Sequence, residues 1–127
     1  MSAKSYDSVF RDRLFAGKTI IVTGAGSGIG RCTAHELASL GATVIITGRK
    51  VEKLESVAAE ITADGGTCHM ASFDIRDEEA VKAAVAEIVA GHGPIHGLVN
   101  NAGGQFPASL QDISKKGWDA VIATNLT

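Results

Sequence analysis

At 127 residues the chain fits one domain of ordinary size. Twelve basic and fourteen acidic side chains give a formal charge of −2, with no basic excess or stripe to suit a nucleic acid. No stretch approaches the ~20 apolar residues of a membrane span. One Trp, one Tyr and four Phe leave the core to aliphatic and small residues, as helices packed on a buried parallel sheet require.

Residues 1–15 mix Lys4, Asp7, Arg11, Asp12 and Arg13 with single apolar residues and hold no apolar core of signal-peptide length. Residues 1–16 read as an arm, with Val9, Phe10, Leu14 and Phe15 docking on a domain that spans 17–127. The β-branched run at 19–23 ends in a glycine cluster and reads as a buried strand. Residues 29–40 follow as a helix with Ile29, Ala34, Leu37 and Leu40 on one side, closed by Gly41. A second strand is expected at 43–47, stopped by Gly48.

Val51, Leu54, Val57, Ala58 and Ile61 recur at spacings of three and four and mark an amphipathic helix that Gly65 and Gly66 end. Residues 67–73 make a weaker third strand. Asp77 is the expected N-cap of a third helix, whose inner face is Val81, Ala84, Val85, Ile88 and Val89. Gly93 and Pro94 break the chain before a fourth strand at 95–99. A last helix starts near Ser114 and is still running at Thr127. This β-α-β-α-β-α-β-α order predicts an open parallel α/β sheet with helices on both faces, joined by right-handed crossovers.

Cys32 and Cys68 stand apart with no short spacing, and both read as buried small apolar residues in a reducing, cytoplasmic protein. His92 and His96 are four apart, a metal-ligand spacing on a helix, but Gly93 and Pro94 between them break any helix. His35 and His69 have no ligand neighbours in the sequence, so no metal site is expected. Glu78 and Glu79 suit the positive end of a helix.

The chemistry-bearing segment is Thr23-Gly24-Ala25-Gly26-Ser27-Gly28-Ile29-Gly30. A strand turning sharply into a helix needs glycine wherever a side chain would block a phosphate, and the helix start offers free N–H groups to the anion. The strict GxGxxG fingerprint is not met, because Ile29 falls where its third glycine belongs. The spacing is instead GxxxGxG at Gly24, Gly28 and Gly30, and no Gly-Lys-Ser/Thr of a P-loop follows.

This segment resembles the TGxxxGIG motif of the short-chain dehydrogenases/reductases. Asn100-Asn101-Ala102-Gly103 resembles that family's NNAG segment, Asp74 its adenine-contacting acid, and Asn125 the asparagine of its catalytic tetrad. The matches run in family order over residues 17–127. The resemblance implies a Rossmann-type doubly wound sheet. It also implies cofactor contacts at Gly24, Ser27, Gly28, Ile29, Gly30, Asp74, Ile75, Asn101, Ala102 and Gly103, and a proton-relay role for Asn125. It further implies a small-molecule substrate and a homo-oligomeric full-length form.

An acidic residue at the end of the second strand would take the ribose hydroxyls of NAD. Gly48 stands at that place, followed by Arg49. A guanidinium there grips a 2′-phosphate with a forked, charge-assisted pair of hydrogen bonds and gives NAD's ribose no acceptor. The cofactor is therefore expected to be NADP(H), with NAD(H) second.

The family's catalytic Tyr, Lys and Ser all lie C-terminal to its asparagine, and the sequence ends two residues past Asn125. Tyr6, the single tyrosine, has no Lys four residues later. The chain is thus expected to be a C-terminally incomplete fold, inactive alone, with an exposed edge on its fourth strand; the competing reading is a non-catalytic nucleotide-binding module. Gly104-Gln105-Phe106 after the NNAG segment is similar to the subgroup holding trans-2-enoyl-CoA and 2,4-dienoyl-CoA reductases and the bacterial dehydrogenases of acyclic terpenoid alcohols such as citronellol. The expected reaction is hydride transfer to or from an acyl-CoA or an aliphatic or terpenoid alcohol.

Overall fold

The computed structural model describes residues 6–103, 109–112 and 114–125. Four strands, β1 (Thr19–Thr23), β2 (Thr43–Gly48), β3 (Thr67–Ser72) and β4 (Gly97–Val99), alternate with helices α1 (Gly28–Ser39), α2 (Val51–Ala63), α3 (Glu78–His92) and α4 (Lys115–Asn125). A short 3₁₀ turn, Leu110–Asp112, precedes α4.

The strands form one parallel sheet in the order β3-β2-β1-β4. Thr19, Thr43 and Thr67 lie side by side at its lower edge, and Ile21 of β1 faces both Ile45 of β2 and Leu98 of β4. The period of two along β1 and β2 sends alternate side chains to opposite faces. Ile20, Val22, Val44 and Ile46 join Ala34 and Ala38 of α1 and Leu54, Val57 and Ile61 of α2 in the main core. Ile21 and Ile45 pack on the other face with Ile88 of α3. Helices therefore cover both faces of a doubly wound α/β sheet.

Local chemistry sets the helix ends. Asp77 caps α3 by accepting a hydrogen bond from the Ala80 N–H at 3.1 Å, with Glu78 and Glu79 in the first turn. Ser114 accepts from the Gly117 N–H at 3.0 Å just ahead of α4.

Several sequence expectations are corrected. Ile29 is 77% exposed rather than on the core side of α1, because it sits in the first turn, beyond the end of the sheet. In α3 only Ile88 is buried, while Val85 and Val89 remain exposed. The face of the sheet beneath α3 offers two isoleucines, where the opposite face offers four β-branched residues to two helices. β4 begins at Gly97 rather than residue 95. The imidazole Nδ1 of His96 accepts the Thr19 N–H at 2.9 Å, replacing the backbone partner that a longer ladder would use.

In the arm, Val9 and Phe10 are exposed, Leu14 is only partly covered, and Phe15 alone packs on the core. Polar contacts hold the rest: the Tyr6 and Ser8 hydroxyls both donate to the Glu36 carboxylate. Cys32 is exposed rather than buried. Cys68 does pack against the main core, and that burial pushes its thiol up to about 11, which keeps it protonated and unreactive.

Candidate functional site

In an open parallel sheet the loops beyond the strands' carboxyl ends converge on a crevice. Here those ends are Gly24 after β1, Arg49 after β2, Asp74 after β3 and Asn101 after β4. Gly24 has a φ of +65°, and a side chain there would meet the Ala102 Cα at 2.8 Å, so only glycine allows the turn. Gly28 opens α1 at φ +57° with nothing within 4 Å of where a Cβ would stand. The Ser27 side chain makes no cap hydrogen bond to α1. The first N–H groups of α1, which have no partner within the helix, are thus left for an anion.

Gly30 packs α1 onto the turn. A Cβ there would lie 2.3 Å from the Gly24 carbonyl oxygen and 2.5 Å from Asn101 Nδ2. That amide donates to the carbonyls of Thr23 and Gly24, both at 3.1 Å. Both Nδ2 hydrogens are therefore used inside the protein, and Asn101 holds the glycine turn in place. Thr23 does the reciprocal work: its Oγ1 accepts from the N–H groups of Asn101 at 3.0 Å and Ala102 at 2.9 Å and donates to the Val99 carbonyl at 3.3 Å. These bonds tie the end of β1 to the end of β4. The sequence reading gave Thr23 no role; its position, last in a strand and first before the glycines, was the available signal.

A cleft of about 880 Å³, open solvent included, runs along this edge and is lined by Gly24, Ser27, Thr47, Gly48, Arg49, Phe73, Asp74, Ile75, Arg76, Ala102 and Gly103. That space is ample for the adenosine half of a dinucleotide. Of the expected site residues, Gly24, Ser27, Arg49, Asp74, Ile75, Ala102 and Gly103 line it. Gly28 and Ile29 lie at the start of α1, and Gly30 and Asn101 support the turn from behind. Asn125 is the last residue of α4. The Gly104-Gln105-Phe106 segment lies outside the described residues. Thr47, Phe73 and Arg76 are additions that the sequence did not single out, although each stands within two residues of Gly48 or Asp74.

The cleft's charge gathers at the ends of β2 and β3. Arg49 is exposed, and its carbonyl accepts from the Ser72 hydroxyl at 3.3 Å. Arg76 grips Asp74 through Nη2 at 2.9 Å and Nε at 3.2 Å, while its own N–H donates to Asp74 Oδ1 at 2.9 Å. These hydrogen bonds, aided by the charges of Arg76 and Arg49, hold the Asp74 carboxyl down to about 2. Asp74 is thus a charged acceptor, and two guanidiniums against one carboxylate leave this end of the cleft positive. The Thr47 hydroxyl, buried without a hydrogen-bond partner, a turn that a Cβ would fill and an uncapped helix start together fit a phosphate-bearing nucleotide.

A second cleft lies at the opposite end of the sheet, between the arm, His35, Asp64 and the turn at Gly65. It adjoins the starts of the strands, the wrong end for a nucleotide in this architecture. Tyr6 lines that cleft, with its ring 5.9 Å from the His35 ring. Among the described residues no group of three His, Cys, Asp or Glu is placed to hold a metal ion. No described helix is long and apolar enough to cross a membrane.

The comparisons with known proteins agree with this geometry. A family model described as short chain dehydrogenase matches residues 18–127. The solved structure of a citronellol catabolism dehydrogenase of Pseudomonas aeruginosa PAO1 is 62% identical, with a TM-score of 0.89 over 95% of this chain and 49% of that one. A metagenomic short-chain oxidoreductase, solved in complex with NADP, is 43% identical with a TM-score of 0.77 over 85% of this chain and 49% of that one. A probable 2,4-dienoyl-CoA reductase of Caenorhabditis elegans is 41% identical over 116 residues, 90% of this chain and 38% of the relative. The chain spans less than half the length of that relative.

Proposed function

The chain belongs to the short-chain dehydrogenase family, and from that premise we propose that it forms the NADP(H) site of an oxidoreductase acting on an aliphatic or terpenoid alcohol or on an acyl-CoA. The observation that carries the cofactor assignment is the end of β2, where Gly48 leaves no carboxylate and Arg49 stands exposed in the cleft. The NADP complex of the 43% identical relative supports it.

When bound, NADP(H) would give a hydride to the substrate or accept one from it, and the protein supplies binding and orientation. The N–H groups of Ser27, Gly28 and Ile29 at the start of α1 would hold the diphosphate. Arg49 holds the 2′-phosphate with a forked contact that a ribose hydroxyl does not match. Asp74, charged and oriented by Arg76, accepts from the adenine amino group, with Ile75 beside the ring. Ala102 and Gly103, fixed by Thr23 and Asn101, form the wall that continues toward the reacting end. By its match to the family's asparagine, Asn125 would serve a proton relay. Tyr6 takes no part, because it lines the cleft at the opposite end of the sheet.

For the substrate, the 62% identity to a citronellol catabolism dehydrogenase favours a terpenoid alcohol, with the acyl-CoA reading supported by the dienoyl-CoA reductase relative. In the same reading the protein works on a small molecule in the cytoplasm as a homo-oligomer, with neither nucleic acid nor membrane as partner. The test is a fluorescence titration of the protein with NADPH and NADH, followed by turnover of citronellol and of an enoyl-CoA by the full-length form. Tighter NADPH binding with citronellol oxidation is the expected result. Equal or stronger NADH binding overturns the cofactor assignment, and turnover of neither compound overturns the substrate class.

A further inference from the structure

Among the described residues the buried side-chain oxygen without a hydrogen-bond partner is the Thr47 hydroxyl. Thr47 is only 1% exposed, yet it lines the nucleotide cleft together with Gly24, Ser27, Gly48 and Arg49. Its backbone is fully engaged: β2 pairs it with Thr23 of β1 and Ala71 of β3, and its carbonyl accepts the Ala25 N–H at 3.2 Å. The residue is thus locked against the glycine turn, with one polar group unspent.

A buried hydroxyl without a partner destabilises the protein, whereas a valine of the same shape would fill that space at no such cost. The preceding residues of β2, Val44, Ile45 and Ile46, are apolar and buried, as a strand covered on both faces requires. A hydroxyl at the next position, facing a cleft, is a group whose partner arrives from outside the protein.

We infer that the Thr47 hydroxyl is a binding group of the cleft, which hydrogen-bonds to the ribose–phosphate part of a bound nicotinamide dinucleotide, directly or through one enclosed water. This rests on the dinucleotide reading above. Thr47 lines the cleft that Gly24 and Ser27 also line, where the ribose–phosphate part common to NADPH and NADH would lie. Arg49 separates the two cofactors, and Thr47 strengthens both.

Two signs then oppose each other. In the free protein Thr47→Val removes an unmet polar group, and the melting temperature rises by roughly 2–5 °C. In the complex the same substitution removes a hydrogen bond, so both NADPH and NADH bind about threefold to tenfold more weakly. Thr47→Ser keeps the hydroxyl and stays within about twofold of the unchanged protein. Thr47→Ala loses stability through the space it leaves, but weakens both cofactors as Thr47→Val does, and it carries the test should the valine variant misfold.

The experiment is thermal denaturation and fluorescence titration with NADPH and NADH on the full-length protein and these three variants. A raised melting point with weakened, serine-rescued binding of both cofactors is the expected result. A lowered melting point for Thr47→Val shows that the hydroxyl is already satisfied in the free protein and overturns the inference. So does unchanged binding by Thr47→Val and Thr47→Ala when the unchanged protein binds normally. If the unchanged protein binds neither cofactor, the dinucleotide reading itself falls, and this inference with it.

Discussion

Replacing Gly30 by alanine tests whether α1 and the glycine turn form one rigid unit. The added methyl would stand 2.3 Å from the Gly24 carbonyl oxygen and 2.5 Å from Asn101 Nδ2. The carbonyl belongs to backbone at a positive φ, so it has little freedom to yield. Forcing a methyl into such a contact costs about 1–3 kcal/mol. Displacing the Asn101 amide also weakens its two bonds to Thr23 and Gly24, each worth about 1 kcal/mol. Alanine's better helix propensity offsets about 1 kcal/mol. The net is a loss of about 2–4 kcal/mol, a fall of roughly 6–12 °C in melting temperature for a chain of this size. Urea denaturation measures it directly, with the slope of the transition checked for constancy. Gly91→Ala is the internal control, because nothing lies within 4 Å of its Cβ position in α3. It should stabilise by about 0.5 kcal/mol. A Gly30→Ala protein within about 0.5 kcal/mol of the unchanged one would refute the packing argument.

Three further outcomes follow from the same geometry. Arg49→Ala should weaken NADPH binding at least tenfold and leave NADH within about twofold, since a charge-assisted contact of about 1.5–3 kcal/mol is lost for one cofactor alone; parallel titrations decide it. Arg76→Leu should raise the Asp74 carboxyl from about 2 toward its ordinary value of 3.8, read by carbon NMR of that carboxylate. Because the folded protein holds this carboxyl down, the stability it contributes is present above pH 3.8 and lost as pH falls toward about 2, and acid unfolding of Arg76→Leu should lose that limb. Tyr6, the single tyrosine, is raised to about 12, first by its hydrogen bond to Glu36. Its contribution is present below pH 10 and disappears as pH rises through about 12. A tyrosinate absorbance titration should find that midpoint, and Glu36→Gln should bring it down toward 10.

The order of elements was legible in the sequence because each depends on neighbours a few residues away. The β-branched run of β1, the three-and-four spacing of α2 and the Asp77 cap all act locally, and all appear where their residues predicted. The glycine motif was legible for the same reason: Gly24 and Gly28 adopt the positive φ that their turn demands. What depends on partners distant in the chain was not. Ile29 fits the helical period yet lies exposed, because the period says which side of a helix a residue occupies and not where the sheet beneath it stops.

The same division runs through the candidate site. By itself the sequence determined a strand–glycine turn–helix able to hold a phosphate, and an arginine where an acid would select NAD, since both are properties of consecutive residues. Only the tertiary structure decided that Thr23 and Asn101 clamp β1 to β4 across 78 residues of chain, and that Thr47 faces the cleft with an unspent hydroxyl. Parallel pairing is the physical reason. It brings together the carboxyl ends of strands separated by whole helices, and no pattern within one segment records which residues will meet there.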